Sequence, residues 1–506
     1  MRTIIPGPPG TGKTHSLIHT HLYDELFKHK TKPEKICYIS FSKAAAKEAR
    51  ERIEKEYPKF SFEYVCTMHS LGTKELQINT TTQLLKGKNW NGFKNYSQVC
   101  KDLSFDTVKH ANGYMEYTNE YMKIIDYYRN RRLDSLLDAA IQIDLVDVIS
   151  IPLLEQIYQD LTDYKANFNM YEFTDMITEF VKEEKCPSLD CVFLDEAQDL
   201  NPLQWEMFFY IESQCKRSYI AGDDDQAIYS FQGADPKIFI NLEGNIDPQI
   251  NSRRVPRAVH KVATSILENI DERREKEWIA REAEGNVFDN LELEDIKFLE
   301  GTWMVLTRTN NQMMPIVEHL QNLGIRFECK FNDLLPGDLV QAINDWNRLN
   351  KGAFISAEEA QNVYSFLRSS KKDIKRGFSS GNSLVAEDSV DMDKLKEEHG
   401  LLVSGDWTVL SMDDVQKEYI KELIASGEDL SKPARVKVAT IHSVKGQEAE
   451  NVILFTDLER IIYEAAQKDP NPEHRLFYVG VTRAKENLFI MSQNYEYQYN
   501  IGEDII

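Results

Sequence analysis

The sequence predicts an α/β protein with two parallel-sheet domains, each carrying an inserted segment, and three observations carry that expectation. Short apolar runs alternate with stretches of helical apolar spacing in the first 70 residues and again around residues 190 to 222. That alternation stops between residues 72 and 168 and again between 352 and 435. At 506 residues the chain is also too long for one ordinary core.

Thr3 to Pro6 is an apolar run closed by Gly and Pro, followed by a helix over Thr14 to His29 with Leu17, Ile18, Leu22 and Leu26 on one face. Ile36 to Phe41 reads as a second buried strand, and the Ala- and charge-rich run Lys43 to Lys55 as its helix. Cys191 to Leu194 and Arg217 to Ala221 supply two more strands, the first ending in acids and the second in Gly222. Strands alternating with helices imply a parallel sheet with its ligand at the carboxyl ends of the strands. Residues 72–168 are Tyr- and Asn-rich and mostly helical in pattern. A second series starts near Ile250, with strands at Trp303 to Thr307 and Val436 to Ile441, and is broken by a region that includes the Gly/Ser/Asp-rich stretch Phe378 to Asp391. The expected division is 1–71 with 169–247, insertion 72–168, then 248–351 with 436–506, insertion 352–435.

Composition narrows the function class. With 42% hydrophobic and 28% charged residues the chain reads as soluble, and no apolar run approaches bilayer length. The start, MRTIIPGPPG, lacks the basic and apolar regions of an export signal. Seven scattered cysteines suit a reducing compartment, and the close pair Cys186 and Cys191 reads as structural thiols. A net charge of −22 argues against nucleic acid, which is bound by displacing counterions with Lys and Arg. The first 70 residues nevertheless hold twelve Lys and Arg against eight Asp and Glu, so a basic channel can lie on an acidic body.

GPPGTGKT, Gly7 to Thr14, is a phosphate loop placed between a strand and a helix. Gly7, Pro8, Pro9, Gly10, Thr11 and Gly12 would let backbone amides converge on phosphates, Lys13 would reach the β and γ oxygens, and Thr14 would ligate Mg²⁺. CVFLDEAQD, Cys191 to Asp199, delivers Asp195 to the same metal and Glu196 to a water. An adjacent Asp-Glu pair alone is usually a solvated turn; beside a phosphate loop it marks a nucleoside triphosphatase.

Further motifs, in order, are similar to those of UvrD/Rep-type helicases of superfamily 1. They are SFSKAAAKEARERI (Ser40 to Ile53), Thr67-Met68-His69-Ser70, Tyr171 to Met176, GDDDQAIYSFQGA (Gly222 to Ala234), Thr307 to Asn310, TIHSVKGQE (Thr440 to Glu448) and RLFYVGVTRA (Arg475 to Ala484). The resemblance implies two RecA-like domains with mainly helical inserted subdomains, and an ATP- and Mg²⁺-dependent DNA helicase. It implies single-stranded DNA and single/double-strand junctions as partners, 3′ to 5′ movement, a monomer as the minimal active form, contact with replication or repair proteins, and a cytoplasmic location in a bacterium or an infected host cell. Gln226 would sense the γ-phosphate, Arg253 and Arg483 would reach across from the second domain, and Glu448 would touch the nucleotide sugar. Phe41, Tyr229 and Phe231 would stack on bases, while Thr67, His69, Arg308, Asn310, Thr440 and His442 would hold phosphates and sugars.

The chain departs from the family pattern in places. It begins six residues before the phosphate loop, so the family's upstream adenine-reading glutamine motif is not expected. Ser252 stands where a Tyr is usual, leaving His15 to stack on adenine, and Phe231 and Gln232 stand where Trp and Arg are common. The second insertion is short, which keeps open a translocase that strips proteins from single strands with little unwinding. An RNA track stays open as well, because stacking does not read the sugar.

Overall fold

The computed structural model describes residues 1–501 except 111–114, 290, 299, 331–333, 369–372, 379–380, 386 and 494. Two six-stranded parallel sheets organise it. The first runs Tyr64–Cys66, Ile36–Ser40, Cys191–Asp195, Arg217–Gly222, Arg2–Pro6 and Asn245–Ile246. The second runs Asn286–Phe288, Ala484–Met491, Ala449–Phe455, Trp303–Thr307, Val436–Thr440 and Phe327–Glu328. Ile36–Ser40, Cys191–Asp195 and Trp303–Thr307 are buried at every position. That is why their sequence is a continuous apolar run: both sheet faces are covered.

Register places the chemistry. Pro6 pairs with Gly222 and Ser40 with Asp195, so the strands leading to the phosphate loop, the acidic box and the Gly222 segment end side by side. Gly7 N donates to Gly222 O at 3.2 Å, tying two of those ends together. The helix Lys43–Glu56 starts on Ser42, whose Oγ accepts from Ala45 N, and buries Ala46, Ala49 and Ile53 at helical spacing. After the phosphate loop the expected helix forms, α-helical over Lys13–Ser16 but wound as π-helix over Leu17–Leu22 and Asp24–Lys28. Nothing in the structure explains that winding.

The two inserted regions differ. Among the described residues neither sends a strand into the large sheets. The first holds the helices Trp90–Tyr96, Glu120–Arg131, Leu136–Gln142 and Ile151–Phe168 around a core of its own, from Leu85 to Tyr164. It also contains an antiparallel pair, Thr107–Lys109 with Met115–Tyr117, which helical periodicity did not foresee. The second packs Ile355, Val363, Leu395, Leu401, Ile420 and Leu423 into one cluster with Trp303, Val305, Val436 and Ile453 of the second sheet. No described helix is long and apolar enough to cross a membrane.

Candidate nucleotide cleft and nucleic-acid face

The phosphate loop needs glycine twice, at Gly10 (φ 75°) and Gly12 (φ 88°). A Cβ on Gly10 would lie 2.5 Å from Arg254 Cβ and 2.8 Å from Ser252 Oγ, so glycine is also what lets the strand Asn251–Pro256 close on the loop. That strand is anchored there: Arg253 N donates to Gly10 O at 2.9 Å, and Ser252 Oγ donates to Pro9 O at 2.9 Å. Thr11 Oγ1 donates to Pro8 O at 2.8 Å, and buried Lys13 donates to Gly7 O at 2.6 Å. Both contacts hold the loop in shape before any phosphate enters.

Thr14 Oγ1 and Tyr38 OH both donate to Asp195 Oδ2, at 2.8 and 3.1 Å. Burial, then the neighbouring charge of Glu196, pushes the Asp195 carboxyl up to about 6. A desolvated carboxylate beside a hydroxyl is an oxygen-only donor set of the kind Mg²⁺ takes. Glu196 sits in left-handed backbone, φ 57°, a conformation rare outside glycine and typical of strained functional positions. Gln198 Nε2 donates to its Oε2 at 2.6 Å. Burial alone would raise its pKa, but Lys445 and Lys13 outweigh that and keep it ionised.

The second sheet delivers its cations to the same cleft. Arg483 is 1% exposed and donates to Gln226 Oε1 at 3.1 Å and to Gln447 O at 3.1 Å. Burial, and then Arg254, pulls its guanidinium below the ordinary value, against the opposing charges of Glu196 and Glu448. Lys445 Nζ bonds both oxygens of Asp199 and the Gln226 carbonyl, each at 2.6 Å. Arg253 is exposed near His15, which itself packs at 4.1 Å on His19. Glu448 is exposed and paired with Arg254 at 2.5 Å and Lys485 at 3.3 Å.

On the neighbouring face Phe41 stacks on Tyr229 with centroids 5.5 Å apart, Tyr229 meets Phe231 at 6.3 Å, and Phe231 meets His442 at 5.6 Å. Phe231 is 48% exposed and Phe41 half-buried, whereas Tyr229 is buried beneath them with Lys445 Nζ 5.0 Å from its ring. His110 of the first insertion also faces Phe231, at 5.6 Å. His69 and exposed Phe173 meet edge to face at 5.9 Å. The other expected contacts lie in their own elements. Thr67 is buried as a helix cap, its Oγ1 accepting from Ser70 N at 3.3 Å. Arg308 forms a two-pronged pair with Glu473 at 2.9 and 2.8 Å. Asn310 is exposed, Thr440 is half-buried at the carboxyl end of its strand, and Gln232 is buried.

Several participants were visible in the sequence without being singled out. Gln198, Asp199 and Lys445 lie inside quoted motifs, so position within a motif was the available signal, whereas Tyr38 lies in the strand read from Ile36 to Phe41. Phe173 carries the same signal in Tyr171 to Met176.

A phosphate loop, a paired acidic box and a second sheet that supplies arginine and lysine are the parts of a P-loop nucleotide-binding protein. Family comparison sharpens that class. A UvrD/REP helicase N-terminal domain matches residues 2–247, and a UvrD-like helicase C-terminal domain matches residues 389–495. The chain belongs to the UvrD/Rep helicase family. It is 25% identical over 398 residues to the ATP-dependent DNA helicase Rep of Buchnera aphidicola subsp. Acyrthosiphon pisum (strain APS), covering 71% of this chain and 57% of that protein. It is 22% identical over 305 residues to the ATP-dependent DNA helicase PcrA of Staphylococcus aureus (strain Mu50 / ATCC 700699), covering 54% of this chain and 39% of that protein. The matches thus span about half the length of these curated relatives.

Proposed function

We propose that the protein is an ATP-driven motor on single-stranded DNA that unwinds duplex. The observation that carries this reading is the segment Gly222–Ala234. Its Gln226 lies in the nucleotide cleft against Arg483, while Ile228, Tyr229 and Ala234 pack into the core of the second sheet and Phe231 stands open on the aromatic face. A change at the cleft and a change of grip on a base therefore pass through one short stretch of chain.

Bound MgATP would supply the phosphoryl group whose transfer to water drives movement. Thr14 and Asp195 fit the metal, and Lys13 fits the phosphate oxygens. Glu196, ionised and held by Gln198, would take the proton of the attacking water. Gln226 and Arg483 fit the γ-phosphate end, where a guanidinium matches charge spread over several oxygens. Exposed Arg253 would complete the site. Aromatic faces bind any base, which suits a motor without sequence preference. Movement from 3′ to 5′, a DNA rather than RNA track, a cytoplasmic setting, monomeric action and contact with replication or repair proteins follow from the family resemblance.

A second reading, a translocase that strips proteins with little unwinding, is favoured by the second insertion, whose described residues share the core of the second sheet. That leaves one fewer separately packed module to engage duplex. The test is strand displacement on 3′-tailed and 5′-tailed duplexes, free of bound protein, alongside ATPase with and without single-stranded DNA. ATP-dependent displacement from the 3′ tail supports the motor with unwinding. DNA-stimulated ATPase without displacement selects the translocase, and absence of stimulation contradicts both.

A further inference from the structure

Gln226 is held from two sides, by Arg483 and by Asp223, and the cation that fixes Asp223 lies outside the motifs. Its amide oxygen accepts from Arg483, while its amide nitrogen donates to Asp223 Oδ2 at 2.7 Å. The other oxygen of Asp223 accepts from Lys276 Nζ at 2.7 Å. Lys276 lies beyond the helix Arg257–Leu267, in the charge-rich stretch Asp271 to Glu277. Its side chain is 3% exposed and also meets Asp224 at 2.5 Å and Asp225 at 2.8 Å, all three carboxylates being fully buried. Burial alone would lower the pKa of this lysine; the carboxylates of Asp223, Asp225 and Asp224 more than reverse that and hold it charged. Arg273 adds two bonds to Asp225, at 3.0 and 2.8 Å, and Arg475 donates to the Asp224 carbonyl at 3.1 Å.

We propose that Lys276 is a positioning residue for phosphate sensing: by fixing the Asp223 carboxylate it sets which face of the Gln226 amide meets the nucleotide. This rests on the reading of Gln226 as the γ-phosphate sensor. Without Lys276, buried Asp223 loses its ion-pair partner, and an uncompensated buried carboxylate is costly. The carboxylate would then no longer be held in place, and the Gln226 amide bonded to it would lose its fixed direction.

The test uses the full chain with Lys276→Met, Lys276→Arg, and the double variant Lys276→Met/Asp225→Asn, which removes one positive and one negative charge and so keeps the cluster's net charge. ATPase at saturating single-stranded DNA, affinity for a fluorescent ATP analogue and melting temperature are read for each. Turnover in the double variant is expected to fall roughly tenfold or more, the scale of a misplaced catalytic contact. Analogue affinity is expected to stay within about threefold, since the phosphate loop is untouched. Lys276→Arg should recover most of the loss. If Lys276→Met fails to fold, the charge-balanced variant decides. A folded double variant with wild-type turnover, or with turnover and affinity lost together, overturns the proposal. A wild-type protein whose turnover is absent, or survives Glu196→Gln, overturns the underlying reading instead, and this proposal with it.

Discussion

Residues 223–226 and residues 229–231 share one short segment but are built on opposite plans. At the first end Asp223, Asp224 and Asp225 are fully buried, Gln226 is 7% exposed, and Lys276, Arg273, Lys445 and Arg483 hold them from the second-sheet side. At the second, Phe231 is half open and touches its neighbours, His442 and His110, ring to ring. Charges desolvated in a cleft must be fixed in advance, because an unpaired one is costly. An apolar ring can wait, since stacking on a base removes surface from water and needs no partner until the base arrives. On the proposed function, the first end would be preorganised for chemistry, and Phe231 at the second would stay open for a moving track.

The largest expected effects lie at the buried end. Glu196→Gln should cut DNA-stimulated ATPase by on the order of 10²–10⁴-fold, the usual contribution of a general base, while nucleotide still binds. Lys13→Ala should lose turnover together with affinity for the nucleotide, because a buried charge aimed at phosphates has gone. Parallel equilibrium binding and turnover assays separate the two cases, and normal turnover in either contradicts the cleft.

Phe231→Ala should cost about 1–3 kcal/mol of single-strand binding, the price of one stacked base. That is roughly 5- to 150-fold in the DNA concentration giving half-maximal ATPase. Its melting temperature should match wild type, because the ring is 48% exposed. A protein that unfolds instead would make Phe231 a core residue and move the track to Phe41 and Phe173.

Nucleotide choice should be loose. Ser252 is buried, donating to Pro9 O and accepting from Val255 N at 3.0 Å, so it neither stacks on nor reads a base. GTP should support turnover within about tenfold of ATP, a gap of roughly 1.4 kcal/mol. Strict dependence on ATP would reveal a base pocket elsewhere.

The smallest effect concerns pH. Burial, and then Arg308, pushes His442 down to about 3, and burial, then Lys43, takes His69 to about 4. A lowered histidine pKa means both rings stay neutral from pH 8 to pH 6 and bring no added charge to the track. Single-strand affinity should change by less than about threefold over that range, under half a pKa unit of linked free energy. A steep gain at pH 6 that His442→Gln removes would contradict this.

Much of this was legible in the sequence because motifs compress chemistry into neighbouring residues. GPPGTGKT and CVFLDEAQD announced the phosphate loop and the acidic pair, and fully buried parallel strands announced themselves as apolar runs. The ties between distant residues were not legible. Arg308 with Glu473, and Lys276 with Asp223, join positions far apart in the chain, and an ion pair of that kind leaves no period in the sequence. Tyr229 read as an open stacking ring, yet Phe41 and the packing of the second sheet bury it. The shared core of the second insertion was equally hidden, because apolar spacing shows that a helix has a buried face but not what covers it.

The central claim is that one segment joins fuel to track, and titrating ATPase against a single-stranded oligonucleotide in wild type, Gln226→Ala and Phe231→Ala tests it most directly. The account predicts that Gln226→Ala lowers the maximal rate with the half-saturating DNA concentration nearly unchanged. Phe231→Ala should raise that concentration while still approaching the wild-type maximum. Two variants that shift the same parameter, or a Phe231→Ala protein with an unaltered curve, would contradict it.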